Sequence, residues 1–357
     1  MKFKEENWGM VEGHAIPVKL FTLENDHGMK LKVTNYGCIV TSIEAPDRNG
    51  EIADVVLGYE NLEKYLGGHP FFGAVAGRYA NRIENGRYSL DGEQFVLENN
   101  ELPTGQHLHG GSKGFDKYVW DFAIEAKQDA IFIHFSRMSP DGESGYGGSL
   151  QVTHTVGLDK NNQVHYNFKA TTDKPTVVNL CNHSYYNLAG HDSGSVNGHE
   201  LKLHAQFYTP VSDTSIPTGE IRSVTGTGLD FSERTRIAEN AVMLSGDGFD
   251  HNFVLDGAKS EGEYKRAAEL YEPISGRMMT VLTTQPGVQF YNGFKLSNKH
   301  WVGRHGKRYE ACHGLCLETQ HFPDSPNKAH FPSTRLNPGQ VFEEKTIHRF
   351  SLGQSRE

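Results

Sequence analysis

Two stretches of the chain hold residues that could move protons. The first is Asn179–Gly190, Asn-Leu-Cys-Asn-His-Ser-Tyr-Tyr-Asn-Leu-Ala-Gly. A short apolar run, Thr176-Val177-Val178, leads into it. Nearly every side chain from Asn182 to Asn187 donates or accepts a hydrogen bond. Among them His183 alone titrates near neutral pH. A strand that carries polar groups into a core must satisfy them or use them. Taken alone, the stretch reads first as a polar strand end with a satisfied histidine. The second stretch is Gly314–Asp324. Leu315 and Leu317 alternate there with Cys316, Glu318 and Gln320, so a strand puts the leucines on one face and Glu318 on the other. A carboxylate among apolar neighbours is paired, exposed or used.

Other polar clusters lie between glycines. Phe71 to Ile83 contains Gly73, Gly77, Arg78, Asn81 and Arg82. The two arginines, four apart, share a face if the segment is helical; a loop with exposed arginines fits equally. His107 and His109 point the same way in an extended chain and suit a polar pocket wall. The sequence offers them no third metal ligand at a recognisable spacing. Asp250 sits among Gly248, His251 and Asn252, where it closes a turn or meets a ligand. Gln285 precedes the break at Pro286-Gly287, where a side chain can be aimed at a ligand. Cys312 and Cys316 have no second pair at zinc distance, so the four cysteines read as reduced thiols.

The elements that must position these groups are strands. Tyr88, Leu90, Phe95 and Leu97 flank Asp91-Gly92, the turn pair of a two-residue hairpin. A second hairpin is expected over 120–137 around 127–129. Leu150 to Val156 and Val164 to Phe168 alternate with apolar residues on one face. Lys30 to Ile43 reads as two strands broken near Asn35, and Met278 to Tyr291 as two strands broken at Pro286. Residues 199–210 read as one strand, and Val341 to Phe350 as the last strand, closing the sheet. Asn61 to Leu66 is one of few helical candidates. Turns at roughly ten-residue spacing predict an all-β, antiparallel β-sandwich with few short helices. No linker or short repeat divides the chain, so residues 1–357 are expected to form a single domain.

Composition narrows the function classes. A net charge of −9 argues against a nucleic-acid surface. No run of about 18 apolar residues is present to span a membrane. The first ten residues are polar and lack a secretory apolar core, so the cytoplasm is the expected address.

Five motifs in register resemble the galactose mutarotase (aldose 1-epimerase) family over most of the chain. They are Gly77–Ile83, His107–Gly111, Asn182–Gly190, Gln285–Tyr291 and Leu317–Asp324. The resemblance implies a large mutarotase-like supersandwich and the interconversion of the α and β anomers of a free aldohexose such as galactose or glucose. No cofactor and no metal are implied; the partner is a monosaccharide. Glu318 is then the base on the anomeric hydroxyl and His183 the acid on the ring oxygen. His107 assists near the ring oxygen, and Arg78, Asn81, Arg82, Asp250 and Gln285 contact hydroxyls. Tyr185, two residues beyond His183, is expected to line the same pocket. His183 and Glu318 are expected on opposite sides of that pocket, with the carboxylate raising the histidine's pKa towards the working pH. Three rivals remain: a hexose-6-phosphate epimerase of the same fold, a non-catalytic sugar-binding protein, and a glycosidase using Asp250 and Glu318.

Overall fold

A computed structural model describes residues 1–244, 246–257 and 262–354. Three antiparallel sheets dominate. Lys2–Gly9, Val18–Glu24, Lys30–Thr34, Val40–Pro46 and Ile52–Asp54 form a five-stranded meander in chain order. A nine-stranded sheet runs, in spatial order, Asp121–Ala126, Ala130–Ser139, Leu150–Asp159, Gln163–Thr172, Phe342–Leu352, Arg277–Thr283, Lys265–Tyr271, Glu200–Leu203 and Thr235–Arg236. A third sheet, here the site sheet, runs Arg222–Ser223, Phe207–Thr209, Asp250–Val254, Gly287–Tyr291 and Cys316–Gln320. One apolar core joins all three: Phe21, Val33 and Ile43 from the meander, Phe135, Val152 and Val281 from the large sheet, and Phe253, Phe290 and Leu317 from the site sheet are all buried in it. The β-sandwich expected from strand spacing is the fold observed.

The hairpins follow their turns. Strands Arg87–Leu90 and Glu93–Val96 flank Asp91 and Gly92, both at positive φ, which matches the twist of a two-residue hairpin. Helix Leu62–Leu66 begins where Asn61 caps the Lys64 amide.

One expectation differs from the structure, and another is sharpened by it. Residues 199–210 are two strands in different sheets, Glu200–Leu203 and Phe207–Thr209. The last strand closes the large sheet from within and not by adding to a continuous run of neighbours in sequence. It lies mid-sheet, paired with Gln163–Thr172 on one side and Arg277–Thr283 on the other.

The site depends on strand alternation. Glu318 pairs with Gln289, which pairs with Asn252; Cys316 pairs with Tyr291, which pairs with Asp250. These polar residues share one face of the site sheet, while Leu317, Phe290 and Phe253 turn into the core. His183 follows the short strand Cys181–Asn182, which pairs with Val75–Ala76. Its backbone is pinned on both sides: its amide donates to the Ala74 carbonyl, and its carbonyl accepts from the Gly73 amide.

Candidate active site

Pro70, Phe71, Asn81, Arg82, Glu101, Leu108, His109, His183, Tyr185, Asp250, Tyr291, Lys295 and Glu318 line one cavity of 190 Å³. That is small beside the roughly 300–1,000 Å³ of drug-sized sites, and it suits a single sugar ring. Glu318 and His183 meet inside it, His183 Nε2 standing 3.6 Å from Glu318 Oε1. The two are direct neighbours and do not face each other across the cavity. The His183 ring is held flat by Tyr185 at 5.1 Å and by Phe71 at 5.7 Å between centroids, both nearly parallel to it.

Of the other residues singled out from sequence, four line the cavity with this pair: Asn81, Arg82, Tyr185 and Asp250. The Arg82 guanidinium forms a buried fork with Glu101, Nε to Oε2 at 2.7 Å and a terminal nitrogen to Oε1 at 2.6 Å. Asp250 Oδ1 accepts from Gln289 Nε2 at 2.8 Å, its cross-sheet diagonal neighbour.

Three residues are placed elsewhere. Arg78 is buried away from the cavity, its guanidinium donating to the carbonyls of Gly147, Gly148, Ser139 and Pro140. Those bonds tie down the 139–148 loop. Gln285 is buried against His321, its Oε1 2.9 Å from Nδ1. His107 is held between the Glu98 carbonyl and the Tyr146 hydroxyl, each at 2.6 Å. The expectation that His107 and His109 share a face fails because His109 adopts a left-handed φ of 51°. That turn swings His109 into the cavity and leaves His107 behind it.

Sequence alone placed His109 on a polar pocket wall without giving it a role, and Phe71, Glu101, Tyr291 and Lys295 went unmarked as site residues. For His109 a signal was present: Gly110 and Gly111 follow it, both at positive φ, and they mark a departure from extended chain. Phe71, also at positive φ, left no comparable trace.

Burial sets the proton positions. Glu318 is pushed up to about 8, first by desolvation and then by the Asp250 charge, against the Cys181 hydrogen bond and the Arg82 charge. His183 is pushed down to about 4, chiefly by desolvation. The expected rise of His183 under a neighbouring carboxylate is therefore reversed, because burial disfavours both charges at once. A protonated Glu318 beside a neutral His183 carries the same single proton as a carboxylate beside an imidazolium, so the two forms are tautomers of one pair. Burial likewise pushes His109 well below its ordinary value.

His109, His183 and Glu318 bring one potential ligand atom each within 4.8 Å of one another. His109 is unsuited to hold a metal there. Its Nδ1 accepts the Asn81 amide at 3.1 Å, so in the neutral ring Nε2 carries the proton and has no lone pair to give. It is a hydrogen-bond donor to whatever fills the cavity.

A larger cleft of 520 Å³ lies elsewhere, lined by Trp8, Asp54, His191 and Arg304 among others. Its buried charges are occupied. Arg304 pairs with Asp54 at 2.9 Å and bonds the Thr41 and Val56 carbonyls, while Asp54 accepts from the Ile43 and Val56 amides.

The structure is thus a sandwich of antiparallel sheets with a buried histidine–carboxylate pair in a small cavity. Comparison with known proteins gives the family. The profile described as Aldose 1-epimerase matches residues 19–349. The galactose mutarotases of Bos taurus and Homo sapiens are each 42% identical over 335 residues, spanning 94% of this chain and 94% of theirs. The aldose 1-epimerase of Escherichia coli (strain K12) is 35% identical over 342 residues, 94% of this chain and 95% of its own. Among solved structures, the galactose 1-epimerase from Lactobacillus acidophilus NCFM superposes with a TM-score of 0.84 at 27% identity, covering 99% of both chains. An aldose epimerase homologue from C. elegans gives 0.85 at 28% identity, over 93% of this chain and 98% of that one. The chain belongs to the aldose 1-epimerase family and is an isomerase acting on carbohydrates.

Proposed function

We propose that the protein interconverts the α and β anomers of a free aldohexose such as galactose or glucose, with Glu318 and His183 as its acid–base pair. The observation that carries this reading is their 3.6 Å approach inside a cavity of 190 Å³. The anomeric hydroxyl oxygen and the ring oxygen are bonded to the same carbon. An acid and a base therefore need to reach atoms only a bond angle apart, which neighbours can do. In the ion-pair tautomer, Glu318 takes the anomeric hydroxyl proton while His183 protonates the ring oxygen. The bond from the anomeric carbon to the ring oxygen breaks, and the anomeric C=O forms. Glu318 then holds a proton and His183 has lost one. After rotation about the adjacent carbon–carbon bond, the roles reverse and the ring closes on the other face. Proton transfer of this kind contributes typically ~10²–10⁴-fold.

Arg82, Asn81, Asp250, Tyr185 and His109 hold the sugar hydroxyls in this reading, with His109 in the place first given to His107. A phosphorylated hexose is less well served. Of the cavity's two cations, Arg82 is paired with Glu101 and Lys295 lies 3.9 Å from Asp250. We read residues 1–357 as one domain, since one core runs through all three sheets. The four cysteines form no disulfide, which suits a reducing compartment, and we place the enzyme in the cytoplasm. Neither nucleic acid nor membrane enters this reading.

The test is polarimetry of freshly dissolved α-galactose. The protein should speed the approach to the equilibrium rotation, and no acceleration with either galactose or glucose would overturn the assignment.

A further inference from the structure

The acid–base pair is backed by two thiols in a crossed arrangement. Cys181 lies two residues before His183, yet its Sγ contacts Glu318 Oε2 at 3.5 Å. Cys316 lies two residues before Glu318, yet its Sγ contacts His183 Nδ1 at 3.5 Å. Each strand thus supplies one reacting group and the backing for the other strand's group. Cys181 and Cys316 are almost completely buried, at 1% and 0% exposure. Burial pushes both thiols well above their ordinary pKa, so they stay protonated: the Cys181 thiol donates to Oε2, and the Cys316 sulfur is free to accept from Nδ1–H.

A donor on Oε2 leaves Oε1 as the oxygen that gains or loses the proton. An Nδ1–H held on the Cys316 sulfur leaves Nε2 as the nitrogen with the exchangeable proton: it has a lone pair when the ring is neutral and a proton to give when the ring is charged. Oε1 and Nε2 are the two atoms that approach each other at 3.6 Å. The Tyr185 hydroxyl in turn bonds the Cys316 sulfur, which orients that thiol's proton away from Tyr185.

We propose that Cys181 and Cys316 are positioning residues that fix which oxygen of Glu318 and which nitrogen of His183 exchange protons with the sugar. The proposal rests on the acid–base reading above. The other titratable groups facing the pair are Asp250 and Tyr291 from the site sheet, Tyr185, Arg82, Glu101, His109, His69 and Lys295. All of them are kept in the thiol variants, and the serine variants, which put a hydroxyl at the same place, separate the lost hydrogen bond from any shift of these neighbours.

The experiment is the pH dependence of kcat and kcat/KM for Cys181→Ala, Cys181→Ser, Cys316→Ala and Cys316→Ser, with Glu318→Gln as reference and circular dichroism to check folding. Cys181→Ala should move the alkaline limb of kcat/KM up by about half a pH unit, because the carboxylate loses a donor. Cys181→Ser should move the limb below the wild-type position, since a hydroxyl donates more strongly than a thiol. Cys316→Ala should lower kcat about tenfold with KM within about twofold, and Cys316→Ser should restore it. If the alanine variants do not fold, the direction of the Cys181→Ser limb decides. Unchanged profiles in the thiol variants, with Glu318→Gln inactive, would overturn the proposal and leave the acid–base pair standing. Near-normal activity in Glu318→Gln would overturn both.

Discussion

At the residue scale, the chemistry turns on where one proton sits. The shifts of Glu318 and His183 predict a bell-shaped kcat/KM profile for the pair, falling below about 4 as a second proton adds and above about 8 as the only one leaves. The same shifts have a stability sign. The folded state holds the Glu318 proton up to about 8, while the unfolded chain releases it near 4.5. The folded state therefore binds more protons across that window, and this carboxyl's contribution to stability falls as pH rises through it. Glu318→Gln should lose activity by about 10²–10⁴-fold yet melt higher than wild type, with a larger gain at pH 8 than at pH 5. A gain that is equal at both pH values would contradict the assigned shift.

The arginines and histidines separate at this scale too. Arg78→Ala should cost about 3 kcal/mol in denaturant unfolding, because it strips partners from four loop carbonyls. Arg82→Ala and His109→Ala should act mainly on KM and kcat, and His107→Ala on stability. Sequence reasoning singled out Arg78 and His107 because residue type and motif position say nothing about which way a side chain turns. That direction is set by the φ of His109 and by carbonyls of a loop some sixty residues further along the chain, and neither is visible in a string of letters. Glu318 was legible because strand alternation fixes its face outright.

At the element scale, the site hangs on a close approach. Gly73 donates to the His183 carbonyl at φ +68°, and a Cβ there would lie 2.0 Å from the Val40 carbonyl oxygen. Gly73→Ala should therefore cost about 3 kcal/mol or more by left-handed strain and overpacking, and should lower kcat in any protein that still folds. Thermal melts alongside polarimetry check both. Hairpins were the most legible elements, since Asp91-Gly92 states its own turn. Residues 199–210 were misread as one strand because both halves are apolar and alternating, and the change of sheet at 204–206 carries no Pro or Gly to announce it.

At the scale of the whole molecule, sheet membership was the least legible property. Strands Arg277–Thr283 and Gly287–Tyr291 are neighbours in sequence and lie in different sheets. Pattern reports that a strand exists, and only the three-dimensional core decides its partner. Removing residues 342–352 should leave an unfolded, aggregating protein, because it opens the large sheet down its middle and exposes two unpaired edges. Size-exclusion chromatography of the truncated chain is the check.

The central place of Phe342–Leu352 also bears on how the protein is made. Its partner Gln163–Thr172 leaves the ribosome some 180 residues earlier. Until the last strand emerges, the hairpins on one side and the Lys265–Thr283 pair on the other have no common sheet, and each half keeps a bare edge in a crowded cell. Completion of this sheet waits for residues 342–352, so every shorter nascent chain carries two unpaired edges.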